Sequence, residues 1–143
     1  MPALQVKGRV RKMRYKVRYF KPQEFICNCG CGRGLFNMSA GLIVVLDHLR
    51  AALGVPLLIS SGFRCEAWNR KVGGVRTSRH LSGWAVDVVL PKEMIFTKFA
   101  STCRVFFDRP GWEFRQYPDR GYCHLAIPRN TEGRYWEGGE ITI

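Results

Sequence analysis

Three residues combine the side-chain types and settings that hold a metal ion: His80, Asp87 and His124. Asp87 stands in A-V-D-V-V-L, among Val86, Val88, Val89 and Leu90. A carboxylate inside such an apolar run is costly to bury unless it is paired or metal-bound. His80 precedes it by seven residues in H-L-S-G-W-A-V-D, where Gly83 lets the chain bend and the small Ala85 lets it enter a sheet closely packed. His124, in G-Y-C-H-L-A-I, is a second polar residue set into a short apolar segment. Two imidazoles and one carboxylate make the three-ligand set of a catalytic Zn2+ site, with the fourth position left for water. The ion would lower the pKa of that water and polarise a scissile carbonyl. Each residue also has a plainer reading. His80 could be an exposed loop histidine, Asp87 a buried aspartate paired with an arginine, and His124 a satisfied core histidine.

The cysteines form a second cluster of reactive types. Cys27, Cys29 and Cys31 lie together in C-N-C-G-C-G-R-G, whereas Cys65, Cys103 and Cys123 are scattered. A C-x-C-x-C run with one distant cysteine could hold a structural zinc, but the spacing is tighter than the usual C-x-x-C knuckle. The expectation is buried thiols, or a local disulfide with Cys65, over a metal.

The elements that must position these residues read as follows. Ser39 is a plausible N-cap for a helix in which Leu42, Val45, Leu46, Leu49 and Leu53 recur at helical spacing, and Gly54 supplies the stop. His48 lies inside that helix near the apolar face and is expected to be partly buried structure. Residues 56–60 read as a short apolar strand after a proline. From 61 to 83 the Gly-, Ser-, Arg- and Asn-rich sequence predicts mostly irregular backbone, and a loop of that length in a compact domain is usually functional. Residues 85–90 predict a buried strand. Pro91 can open a helix with Ile95, Phe99 and Cys103 toward the core. Strands near 112–117 and 122–127 are joined by the turn residues Pro118, Asp119, Arg120 and Gly121. A few helices with short, mainly antiparallel strands make the class α+β.

At 143 residues the chain fits a single domain with one hydrophobic core. An apolar fraction of 46% argues against disorder. No window approaches the roughly 18 apolar residues of a transmembrane segment. The N-terminus is basic but lacks the apolar stretch of a signal peptide, so export by the usual route is not expected. The net charge of +12 implies a polyanionic partner or surroundings: nucleic acid, an anionic membrane face or an anionic cell envelope. Much of the excess falls in a basic segment at about 1–19, in Lys7, Arg9, Arg11, Lys12, Arg14, Lys16 and Arg18. From Arg14 to Phe20 charged residues alternate with apolar or aromatic ones, as in an exposed edge strand protected by its charges.

Residues 61–87, S-G-F-R-C-E-A-W-N-R-K-V-G-G-V-R-T-S-R-H-L-S-G-W-A-V-D, resemble the signature of the D-alanyl-D-alanine carboxypeptidase-like zinc metallopeptidases. That group includes peptidoglycan carboxypeptidases, murein endopeptidases and phage endolysins. The matching elements are S-G-[FY]-R at 61–64, Asn69, V-G-G at 72–74, and S-x-H-x-x-G-x-A-x-D from 78 to 87. The upstream F-K-P-Q-E-F-I-C-N-C-G-C-G resembles the N-terminal region of one branch, and Y-P-D-R-G-Y-C-H-L resembles the strand of the last ligand, so the resemblance covers roughly residues 20–130. It implies a hedgehog/D-Ala-D-Ala-peptidase-like fold, a small mainly antiparallel sheet with flanking helices. It also implies His80, Asp87 and His124 as zinc ligands and an Arg64 that points into the cleft. There the guanidinium would donate to the developing oxyanion or grip a substrate carboxylate, in a fork that lysine cannot reproduce.

The match departs from the family at the general base. Many members place an acid three residues before the last histidine, where this chain has Gly121; a related branch reads H-[VL]-D, where this chain has His124-Leu125-Ala126. Asp119 is the preferred substitute and Glu113 the next candidate. The expected function is a zinc peptidase, endopeptidase or D,D-carboxypeptidase, acting on stem peptides or cross-links of peptidoglycan at the bacterial cell wall. A phage or prophage lysis or virion enzyme is the expected setting, and a monomer the expected state. The alternative is a non-catalytic zinc-containing wall-binding module of the same fold. Nucleic-acid binding ranks last, since no recognised motif for it is present.

Overall fold

The computed structural model describes residues 13–129 and 134–142; Lys7, Arg9, Arg11 and Lys12 of the basic segment lie outside the described residues. Strand β1, Arg14–Lys16, pairs antiparallel with β6, Glu140–Thr142, in a two-stranded ribbon. The alternation that predicts a longer strand runs on past Lys16, but the backbone leaves the ribbon there. The N–H groups of Arg18 and Tyr19 instead donate to the buried Asp47 carboxylate, at 3.1 and 2.9 Å, and the Tyr15 hydroxyl donates to it at 2.7 Å. One buried acid is thereby satisfied by three donors, which a buried charge requires.

Asp47 belongs to helix α1, Ala40–Leu53, which starts and stops where its sequence predicts. The Ser39 hydroxyl accepts from the Leu42 N–H, and Gly54 closes the helix at φ 70°. Leu42, Leu46, Leu49 and Leu53 are buried. His48 is not: it is exposed, with its ring 5.1 Å from that of Tyr15. The inward position beside it is taken by Asp47, which has the N-terminal segment to receive.

The main sheet has four antiparallel strands, β2 Ile59–Ser61, β3 Ala85–Val89, β4 Glu113–Tyr117 and β5 Tyr122–Ala126, in the order β2-β3-β5-β4. Because side chains alternate across a strand, Val86 and Val88 of β3 and Cys123 and Leu125 of β5 face one side. They form one core with the apolar face of α1 and with Phe99, Cys103 and Phe107 of helix α3, Phe96–Phe107. Asp87 and His124, offset by one residue, face the other side. The architecture is the α+β arrangement expected, with helices on one face of an antiparallel sheet.

Local differences have local causes. The strand read at 56–60 is shifted to Ile59–Ser61, since Leu57 plugs the core ahead of it while Leu58 is exposed. Helix α3 begins at Phe96, not at Pro91, because residues 92–94 turn first; Ile95 is the exposed N-cap, and Phe99 and Cys103 are buried as expected. The stretch 61–83 holds more order than its composition predicts: helix α2, Glu66–Lys71, and a 3-10 turn, Arg79–Ser82. The buried residue of α2 is Asn69, so no apolar periodicity marks it.

Gly83 ends the 3-10 turn and aims the chain into β3. Its φ is 72°, its carbonyl accepts from the Ser39 N–H at 2.9 Å, and a Cβ there would collide with the Asn37 carbonyl. Gly54 has nearly the same φ but open space around it. We therefore expect Gly54→Ala to cost about 1 kcal/mol, the left-handed backbone alone, and Gly83→Ala to cost about 2 kcal/mol more from the collision. Chemical denaturation measures both; equal losses would show that the Asn37 carbonyl simply moves aside.

Candidate functional site

In β3 and β5 Asp87 stands directly opposite His124, and Ser61 of β2 and Arg115 of β4 extend the same row across the sheet. Between Ile59 and Ser61 the β2 register shifts by one residue, a bulge that turns the following S-G-F-R segment over the row. His80 comes from the 3-10 turn above. Its backbone N–H donates to Ser78 Oγ, and its carbonyl accepts from the Arg64 N–H.

The side chains then converge. His80 Nε2 lies 3.2 Å and His124 Nδ1 3.0 Å from the same Asp87 oxygen, Oδ1. The far nitrogens have partners that accept: His80 Nδ1 is 2.8 Å from the Gly62 carbonyl, and His124 Nε2 is 3.0 Å from Glu113 Oε1. An N–H on each far nitrogen satisfies those partners and leaves a lone pair on each near nitrogen. Two imidazole lone pairs and a carboxylate oxygen then face one point, all within 4.8 Å of one another. Three acceptors aimed at each other repel unless a cation lies among them. The donor set therefore fits a Zn2+ ion.

The other Asp87 oxygen is held separately. Arg64 NH2 donates to Oδ2 at 3.1 Å, while its Nε donates to Ser61 Oγ and its NH1 to Asn69 Oδ1. Asn69 is seated in turn by donating to the Val75 carbonyl at 2.9 Å, and a side chain at Gly74 would strike its amide. These contacts account for S-G-F-R, Asn69 and V-G-G as one unit that orients Arg64. Burial alone would raise the Asp87 pKa; its close contacts with the imidazoles of His124 and His80 prevail and hold it well below the usual carboxylate range. Glu113 is likewise lowered, its partial burial outweighed by His124 and by the nearby Arg79 and Arg115.

The row opens onto a cleft of about 270 Å³ lined by Arg64, Arg115, Tyr117, Arg120 and Tyr122 with His80, Asp87 and His124. Asp119 is not brought into it: the residue is exposed on the 3-10 turn Pro118–Arg120, although its neighbour Arg120 does line the cleft. Glu113 lies on the His124 nitrogen that faces away from Asp87, a place for steering the imidazole. Gly121, three residues before His124, has φ 75°, a conformation that disfavours a side chain. Arg79 carried no signal in the sequence. It donates to the Gly111 and Ile127 carbonyls and lies 3.5 Å from Glu113, so it braces the residue that braces His124. Cys27 and Cys65 are buried thiols, Cys29 and Cys31 are exposed, and no disulfide joins Cys65 to any of them.

The sequence model of the family described as Peptidase M15 matches residues 18–126. The chain belongs to the peptidase M15 family. Peptidase M15 proteins are D-Ala-D-Ala carboxypeptidase-like zinc peptidases, and the match runs from the Asp47-anchored segment to the end of β5. No curated protein matches the chain. In a peptidase M15 protein the pairing of His124 with Glu113 has a direct consequence. With His124 as a proposed Zn2+ ligand, Glu113→Ala should weaken Zn2+ binding roughly 10–100-fold, the usual effect of removing such a hydrogen-bond partner. Competition with a chromophoric chelator measures it, and wild-type affinity would leave Glu113 without this role.

Proposed function

We propose that this peptidase M15 protein hydrolyses peptide bonds in the stem peptides or cross-links of bacterial peptidoglycan, with His80, Asp87 and His124 holding the Zn2+. The observation that carries this reading is the convergence of three lone pairs beside an arginine-lined cleft. Bound there, the ion would supply a Lewis acid for the carbonyl and a lowered pKa for the attacking water. The chain's own residues do the rest. Gly62 and Glu113 fix the imidazole tautomers, and Arg64 holds Asp87 so that one oxygen stays toward the histidines. Two of the five guanidinium N–H bonds of Arg64 are left to donate toward the cleft, where negative charge develops on the carbonyl oxygen. Arg115 and Arg120 suit a carboxylate of the substrate. The net charge of +12 suits an anionic envelope, and a phage or prophage enzyme acting at the wall as a single-domain monomer is the setting we propose.

For the general base we propose Asp119, reaching the attacking water through a second water or a shift of its turn. Asp119→Asn should then lower kcat about 100-fold while Zn2+ content stays whole. Wild-type turnover in that variant removes Asp119 from the mechanism.

Gly121 at the usual position of the acid favours a second reading, a wall-binding module that keeps the fold and the metal without hydrolysis. Mass spectrometry of muropeptides from purified walls separates the two. Cleaved peptides that vanish with chelator, and that His80→Ala and His124→Ala fail to produce, are the expected result. Binding of walls with no new termini would establish the module instead.

A further inference from the structure

We infer that Cys27, Cys29, Cys31 and Cys65 form a second metal site, a structural Zn2+ held by four thiolates. The four sulfurs, one per residue, lie within 4.8 Å of one another. Cys27–Cys29, Cys29–Cys65 and Cys27–Cys65 are 3.5, 3.6 and 3.7 Å apart. A tetrahedral ZnS4 site with bonds of about 2.3 Å has edges of about 3.8 Å, so the spacing matches its edges. A disulfide would leave one pair far closer than the others; three nearly equal separations describe a cluster, not pairs.

The tight C-x-C-x-C spacing works because of the residues between the cysteines. In an extended strand, thiols at every second residue are strung out about 7 Å apart. Here Gly30 and Gly32 take φ 84° and 80°, and the loop curls back until the Cys27 N–H donates to the Arg33 carbonyl at 2.8 Å. Cys65, 34 positions beyond Cys31, completes the set from the start of α2.

The polar surroundings are those of thiolates. Backbone N–H groups of Cys31, Cys65 and Trp68 donate to the sulfurs of Cys29, Cys27 and Cys65 at 3.3, 3.4 and 3.4 Å. Such bonds favour the charged form. A bound cation deprotonates the thiols that ligate it. Burial of apolar surface offers no alternative reason for the cluster, since Cys29 and Cys31 are exposed.

The ion would act as a staple. The Phe63 N–H donates to the Phe25 carbonyl, and Gly62 packs directly on Phe25, so the cysteine loop already lies against the S-G-F-R segment. That segment supplies Gly62 to His80 and Arg64 to Asp87. A metal bridging residues 27–31 to Cys65 would fasten the support of the other site.

Native mass spectrometry of the protein purified under reducing conditions tests the inference without regard to activity. Two Zn2+ per chain are expected in the wild type. His80→Ala with His124→Ala should retain one, and Cys29→Ser with Cys31→Ser, both at exposed positions, should retain the other. Cobalt substituted into the His80→Ala, His124→Ala variant should give thiolate-to-metal charge-transfer absorption, and a thiol-binding mercurial should release that ion. A metal-free histidine variant with four thiols free, or masses lower by two hydrogens per disulfide, would overturn the inference; so would iron in place of zinc. Because the variant without His80 and His124 reports on the cysteine site alone, these results stand apart from any outcome for the peptidase.

Discussion

The carboxylate of Asp87 lies in a central strand, with one oxygen facing two imidazoles and the other tied to a guanidinium. A buried carboxylate without such partners costs several kcal/mol, so the surrounding groups are constrained by it. Arg64 must be held, which calls for Ser61 and Asn69; Asn69 must be seated, which calls for the bare backbone at Gly74. The two histidines must present their near nitrogens, which calls for acceptors at Gly62 and Glu113. Glu113 in turn lies beside Arg79. Most of the polar residues between 61 and 124 that are buried or half-buried can be traced back to that one acid.

The sheet separates this network from the core by nothing more than strand alternation. Val86 and Val88 flank Asp87, and Cys123 and Leu125 flank His124, all of them buried among the helices. The apolar residues fix where the strands lie, and the polar ones between them inherit that rigidity. Side chains carried on paired strands are held more tightly than side chains on loops. His80, which comes from a turn, is compensated by hydrogen bonds at its backbone N–H, its carbonyl and its ring.

Much of this was legible in the residue order. The polar residue in an apolar strand marked Asp87 and His124, the spacing to Asp87 marked His80, Ser39 and Gly54 marked the ends of α1, and the resemblance at 61–87 brought in Arg64. What escaped notice has physical reasons. Helix α2 is short and buries an asparagine, so it carries no periodic apolar signal. Arg79 is one arginine among many until the fold sets it beside Glu113. The thiols at Cys27, Cys29 and Cys31 look too closely spaced to converge, because spacing rules assume ordinary backbone and the glycines between them adopt left-handed φ. Asp119 is the acid nearer to His124 in sequence, whereas Glu113, two residues from the His124 register partner Arg115, is the acid whose carboxylate touches the histidine.

The register that sets Asp87 opposite His124 also limits how such a chain can vary over time. One residue gained or lost within β5 would bring Cys123 or Leu125 to the position of His124 and turn the histidine toward the core. Length changes are therefore excluded from the strands. The turn that rims the cleft at 118–121 tolerates them, since a hairpin loop can lengthen at small entropic cost. Descendants of this sequence can reshape what enters the cleft by insertion, while Asp87 and His124 can change only one substitution at a time.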